Sequence, residues 1–231
     1  MKRLSAVLYL VLASSAAADV IETAQYTDPT TRYAHGVLGD AVEWGGLRLD
    51  LTDGTTRQFQ LPIHSVFEDT EPRLVDLEND GAPEVIVVES HNRQGAQLAI
   101  YGTEGKITAT PYIGTSYRWL APLGATDLDG DGFTEIAYID RPHLIKTLRV
   151  WRYQNENLSL VSSLAGLTNH RIGEPDIAGG IRDCGSGPEI VVATASWSTL
   201  VAVKLDGETL SAAEIGTHEG RGSFDTALAC Q

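Results

Sequence analysis

The sequence predicts an all-β fold that is built from a repeated unit of about 50 residues. Short alternating apolar runs at 97–101, 147–151 and 200–204 are each followed by a turn rich in Gly, Asn or Asp. Such runs are typical of hairpin strands. An acidic loop at 76–84 recurs at 127–135, 51 residues later. No window shows an apolar period of 3.6, so we expect almost no helix.

Four units can be aligned on this repeat. The acidic loops and an equivalent segment at 181–189 lead into the apolar strands 84–88, 135–139 and 188–193, which define units two, three and four. Polar segments at 65–68, 116–119, 168–171 and 217–220 recur at steps of 51, 52 and 49, each before an apolar strand. Unit one lacks the strand that precedes the loop in the others. The run 224–229 follows the last polar segment, and we interpret it as the missing strand.

A unit divided between the two termini indicates a closed ring. The prediction is a β-propeller of four blades with four strands each, in which the C-terminal strand closes the first blade. Five blades are an alternative, but they need a further unit that the sequence does not show. A β-sandwich is the rival architecture, although it does not require repeats with a divided unit.

The ends and the charge indicate the compartment. Lys2 and Arg3 precede an apolar run at 4–13 and the small residues 16–18, which is the pattern of a secretory signal peptide over residues 1–18. We therefore expect a single exported domain at 19–231, periplasmic or extracellular. A membrane span takes about 20 apolar residues, and the chain has no such run. The net charge of −14 argues against a nucleic-acid partner.

The repeated acidic loop predicts a site for a hard cation. Asp127, Asp129 and Asp131 occupy alternate positions, a glycine follows, and Glu135 comes four residues on. Calcium takes 6–8 oxygen ligands, and alternate residues of a tight loop can point at one centre. One such motif can be a solvated acidic turn, but a second copy before another apolar strand favours Ca²⁺.

A D-x-[DE]-x-D-G-x-x-E loop followed by an apolar strand resembles the FG-GAP or VCBS repeat family, which includes the integrin α-subunit propeller and many exported bacterial proteins. The resemblance covers roughly residues 33–231, and its specific motif is clear in units two and three. It implies calcium ligands at loop positions 1, 3, 5 and 9 and a carbonyl at position 7. A loop whose ligands all come from the protein leaves no open position for a substrate, so we expect the ion to be structural. These ligands are Asp127, Asp129, Asp131, Glu135 and the Phe133 carbonyl in unit three, and Asp76, Glu78, Asp80, Glu84 and the Ala82 carbonyl in unit two. Glu78 replaces the usual Asp or Asn and makes unit two the less certain site, whereas segment 181–189 keeps too few ligands and should be free of metal.

A ligand face is predicted where the polar segments before each first strand gather at one end of the ring. Mixed charge, imidazole and an indole in one concavity are typical of a site for a polar ligand. The alternative is that these are ordinary solvated loop residues. The candidate residues are Glu68, Arg118, Trp119, His170, Arg171 and His218.

No catalytic residue can be assigned, because the chain has neither a G-x-S-x-G nor an H-E-x-x-H motif. The sequence favours an exported, calcium-stabilised binding module for a protein or glycan. The alternative is an enzyme on the same scaffold, a polysaccharide lyase or hydrolase that works at this end of the ring, the axial face. A close carboxylate pair in a deep axial pocket would favour the enzyme.

The two cysteines, Cys184 and Cys230, are predicted to form a disulfide, which is the default for an isolated pair in an exported protein. Two free thiols are the alternative. In the repeat alignment Cys184 follows the first strand of unit four, and Cys230 ends the first strand of unit one. These two strands are neighbours in a four-bladed ring.

Overall fold

A computed structural model describes residues 19–231, so the predicted signal peptide lies outside the described residues. The described chain forms three antiparallel sheets and one short helix, which confirms the all-β prediction. No described helix is long and apolar enough to cross a membrane.

The first sheet has eight strands and combines units one and two. Strand β4 joins the two units, since Trp44 of β2 lies opposite Phe67 and Ser65 lies opposite His91 of β6. The strands are β1 (Ile21–Thr30), β2 (Glu43–Leu51), β3 (Thr56–Gln60), β4 (Ser65–Phe67), β5 (Arg73–Val75), β6 (Glu84–His91), β7 (Gly95–Gly102) and β8 (Gly105–Ala109).

The second and third sheets correspond to units three and four. The second sheet contains β9 (Leu120–Thr126), β10 (Thr134–Asp140), β11 (Thr147–Gln154) and β12 (Asn157–Ala165). The third sheet contains β13 (Leu167–Thr168), β14 (Gly180–Asp183), β15 (Pro188–Thr194), β16 (Thr199–Asp206) and β17 (Thr209–Thr217).

Units two, three and four are each a four-stranded antiparallel meander: β5 to β8, β9 to β12 and β14 to β17. The acidic loops 76–84 and 127–135 and the segment 183–189 connect the first two strands of their units. The arrangement of sheets is therefore propeller-like, and the repeat alignment identified equivalent strands.

The central strand of each meander is buried on both faces, because successive side chains of a strand point to opposite sides. In β6, Val85 and Val87 pack towards unit one, while Ile86 and Val88 pack towards unit three. Strands β10 and β15 repeat this alternation between their neighbouring layers. The units are thus stacked in chain order, with an apolar layer between each pair.

The predicted C-terminal closing strand is wrong. Residues Arg221–Leu228 form the helix α1, and Phe224 and Ala227 are buried with Leu228 packed beside them. The spacing i, i+3, i+4 places these side chains on one helical face. The helix covers the free face of β15 through Val191 and Ala193.

Unit one also differs from the prediction. Its first strand comes from the N-terminal side, because β1 pairs along its length with β2. Within residues 19–231 no strand pairs the first sheet with the third. The helix therefore covers the face of unit four that a closed ring would offer to unit one, and the count of four blades stays a prediction.

Candidate functional site

The structure places the six predicted ligand residues in two groups. Glu68, Trp119 and His170 form a buried cluster, and Arg118 lies at the edge of the adjoining cavity. Arg171 and His218 instead meet at Trp197, whose ring lies 3.9 Å from the Arg171 guanidinium carbon and 5.2 Å from the imidazole centroid. The predicted face is therefore only partly gathered at one place.

The clustered residues are not solvated loop residues. Glu68 and His170 are 0% exposed and Trp119 is 2% exposed. The Trp119 indole N–H donates to the Glu68 carbonyl at 2.8 Å, and its ring meets His170 edge to face with the centroids 4.9 Å apart. Trp119 thus ties together polar segments from three units.

Glu68 orients a histidine that the sequence analysis did not select. One carboxylate oxygen lies 2.5 Å from Nδ1 of His35, and the other accepts from the Ser90 hydroxyl. Burial raises the pKa of Glu68, while the contacts with His35 and Ser90 oppose that rise. Because Nδ1 of His35 is engaged, Nε2 is the ring nitrogen available to the cavity.

A second histidine is oriented through His170. The His170 Nε2 lies 2.9 Å from the Glu174 carbonyl, which can only accept, so this nitrogen carries the proton. The His170 Nδ1 therefore accepts from the His143 Nε2, 2.9 Å away. Burial lowers the pKa of both imidazoles, that of His143 to about 4 with help from the nearby His170. Both rings are neutral at pH 7, and His143 keeps an unshared electron pair on Nδ1.

The cavity beside these rings has a volume of about 210 Å³. None of its lining residues is acidic, although the chain carries 31 acidic against 17 basic side chains. The Arg141 guanidinium is paired with Asp140, whereas Arg118 forms no ion pair within the described part of the chain. The lining residues are His35, Tyr117, Arg118, Trp119, Arg141, His143, Leu144 and Ile172.

The rim of this cavity also has an apolar side. Tyr117, Leu144 and Ile172 all line it and all expose more than a third of their surface. One guanidinium without an ion pair, two imidazoles and three exposed apolar side chains can therefore contact the same bound group. This combination suits an anionic group that is attached to an apolar or ring-shaped body.

The loop 127–135 brings its carboxylates together. Oxygens of Asp127, Asp129 and Glu135 lie within 4.8 Å of one another. The backbone N–H groups of Gly130 and Gly132 donate to Asp127 at 2.7 and 2.9 Å, which curls the loop around that side chain. An all-oxygen set of this kind fits Ca²⁺.

The loop 76–84 is curled in the same way, since Asp76 accepts from the N–H groups of Asp80 and Gly81 at 3.1 and 2.8 Å. Glu78 is exposed. Among the described residues, only the loop 127–135 brings three acidic ligand atoms together. In the equivalent segment of unit four, Arg182 donates to Glu189 at 2.7 Å.

The predicted disulfide is confirmed, since Cys184 and Cys230 are bonded with Cα atoms 5.7 Å apart. Its predicted setting is wrong, because Cys230 follows helix α1 and does not end a strand. The bond fastens the end of the helix to the turn between β14 and β15.

Comparison with known families supports the motif. Residues 76–138 match the family model described as FG-GAP-like repeat. The match begins at the first residue of one acidic loop, includes the other and ends within β10. The chain therefore contains an FG-GAP-like repeat within a propeller-like all-β fold. Searches of curated proteins and of solved structures gave no match.

Proposed function

We propose that this chain is an exported, calcium-stabilised binding module, and that its cavity holds an anionic group of a protein or glycan ligand. The observation that carries the proposal is the absence of acidic residues from the lining of the described cavity, in a chain of net charge −14. A cavity without acids avoids repelling an anion, and Arg118 supplies a guanidinium that can bind a carboxylate or sulfate with two parallel hydrogen bonds.

The side chains around this site are held in place before any ligand binds. Glu68 fixes the His35 ring, and His170 with the Glu174 carbonyl fixes the His143 ring. Nδ1 of His143 is then available to accept from a ligand hydroxyl or amide group, and Nε2 of His35 is the ring nitrogen left to face the ligand. Rigid, prearranged polar groups lose less entropy on binding than mobile ones.

The proposed calcium ion has a structural role. Asp127, Asp129, Asp131, Glu135 and the Phe133 carbonyl would hold it at the turn between β9 and β10. The bound ion would neutralise acidic side chains and fasten the entry of a buried strand. Export is supported by the disulfide, which persists in oxidising compartments.

A binding screen tests the proposal. The protein comprising residues 19–231 would be applied to an array of acidic and neutral glycans and to a peptide array, with calcium present. We expect binding to acidic members and a loss of about tenfold or more for Arg118→Ala. Arg93→Ala is the matched control, because Arg93 is an exposed arginine outside the cavity.

Three results would contradict the proposal: binding that both arginine variants reduce equally, binding only to neutral members, or no binding at all. His143→Asn gives a second test, since it removes the His143 ring and its pairing with His170 without emptying the buried cluster. His170→Ala is less informative, because His170 is fully buried and its loss would perturb the fold.

An enzyme remains the second candidate because of the pair formed by His35 and Glu68. A histidine whose second nitrogen is held by a buried carboxylate is the usual form of a general base. A polysaccharide lyase or hydrolase would use the free nitrogen of His35 in this way. Release of new sugar ends from an acidic polysaccharide, lost in His35→Gln with binding retained, would favour the enzyme over the module.

A further inference from the structure

The guanidinium of Arg152 lies on three of the four carboxylates that are predicted to hold calcium in unit three. Its Nε lies 2.6 Å from Glu135, Nη2 lies 2.9 Å from Asp129 and Nη1 lies 2.7 Å from Asp131. One cationic side chain thus makes charged contacts with loop positions 3, 5 and 9. These are oxygens that a bound cation would use.

The position of Arg152 is fixed by the sheet and is not an incidental surface contact. Arg152 of β11 lies directly opposite Glu135 of β10 in the strand register. Its side chain is only 22% exposed, and its guanidinium carbon lies 5.8 Å from the centre of the Phe133 ring. Backbone pairing and local packing therefore direct the charge at the loop.

The corresponding position in unit two has no side chain. Ile136 lies opposite Trp151 and Val85 lies opposite Tyr101, so the next position is Arg152 in unit three and Gly102 in unit two. No ion pair joins the carboxylates of the loop 76–84 to a basic residue in the part of the chain that the structure describes. The loop of unit three is thus paired with an arginine, and the loop of unit two is not.

We infer that Arg152 is a built-in competitor for the cation site of unit three. It holds the loop 127–135 in its closed shape without metal, and it lowers the affinity of that loop for Ca²⁺. The physical reason is that the guanidinium and a divalent ion repel each other when they share the same carboxylates, so one must move for the other to bind. The inference rests on the calcium part of the proposed function and not on the ligand cavity.

Calcium titration by calorimetry on metal-free protein tests this inference. All variants carry Asp76→Asn, which silences the loop of unit two. Arg152→Met should bind Ca²⁺ about tenfold or more tightly than the parent, and it should melt at a lower temperature than the parent in EGTA. Arg149→Met is the control, because Arg149 is on the same strand but pairs with Asp140; its calcium affinity should equal that of the parent.

The outcomes separate the inference from the proposal on which it rests. If Arg152→Met binds Ca²⁺ no more tightly than its parent, Arg152 does not compete with the ion, although the calcium site itself is retained. Absence of calcium binding from every variant overturns both. If Arg152→Met does not fold, Arg152→Lys replaces it: a single ammonium cannot span three carboxylates, so its calcium affinity should exceed that of the parent, and an unchanged affinity overturns the inference.

Discussion

Removing the disulfide should release helix α1 and leave the sheets folded. The bond closes a segment with a sequence separation of 46 residues, for which the chain-entropy model gives about 4 kcal/mol. Without it, the helix keeps the burial of Phe224, which is 1% exposed, and the packing of Ala227 and Leu228. It also keeps a hydrogen bond from Arg182 to the Ala227 carbonyl and the contacts of Arg221 with Asp176 and the Ile177 carbonyl. Together these contacts contribute about 5–7 kcal/mol. Ordering eight residues costs about 1–2 kcal/mol each, and so short a helix is unstable alone.

Packing alone is therefore too weak to keep α1 docked. Because only the helix is released and the sheets stay folded, the free energy of unfolding should decrease by no more than the disulfide contributes. For Cys184→Ala with Cys230→Ala we expect a decrease of about 2–4 kcal/mol in the free energy of unfolding. Denaturant titration measures it, and hydrogen exchange locates it.

In the exchange experiment, residues 221–228 should exchange rapidly in the double variant while β6 and β10 stay protected. Phe224→Ala with the disulfide intact is the control, because the tethered helix can redock. Full protection of 221–228 in the double variant, with an unchanged unfolding midpoint, would refute the reasoning. Such a result would mean that the helix is held by its packing alone.

Three further predictions can be checked by unfolding experiments. Calcium should raise the melting temperature above that in EGTA, and combining Asp76→Asn with Asp127→Asn should abolish the difference; equal midpoints in the wild-type protein would contradict a structural ion. Burial raises the pKa of Glu43 to about 9, above its value in the unfolded chain, so its charge destabilises the fold as the pH rises from about 4.5 towards 9. Glu43→Gln should therefore stabilise the protein more at pH 8 than at pH 5, by about 1 kcal/mol or more, and a gain that does not depend on pH would argue against this. Burial lowers the pKa of His143 to about 4, below its unfolded value, so stability should fall as the pH drops from about 6.5 to 4; His143→Asn should lose less stability over that range, and identical profiles would exclude this histidine as a cause.

The strands were predictable because short apolar runs recur at a fixed spacing after the turns. The runs at 85–88 and 136–139 are buried on both faces, and their repeat identified equivalent strands in units two to four. The helix was not predictable by the same reasoning. Its apolar face consists of Phe224, Ala227 and Leu228, fewer than two turns, and its N-cap Gly220 offers no side-chain cap. A short run of this kind fits a strand equally well.

The candidate site was predictable only where it lies within the repeat. The alignment brought Glu68, Trp119 and His170 to one end, and the structure buries them together. His35 and His143 come from loops outside the repeat alignment, so no periodic signal pointed to them. The pairing of Arg152 with the acidic loop depends on the exact register of β10 and β11, which turn residues alone do not fix.

The three equivalent turns differ in how their acidic residues are paired. In unit four, Arg182 from the preceding strand pairs with Glu189, and few acids remain in the segment. In unit three, Arg152 from the following strand contacts three carboxylates. In unit two neither arrangement is present, so its carboxylates rely on a bound cation or on solvent. Each turn leads into a strand that is buried on both faces, and β6 is in register although no basic residue pairs with the loop 76–84 in the described part of the chain. A protein cation thus balances the turn where a neighbouring strand offers one, and under the proposed function a divalent ion would take that place in unit two.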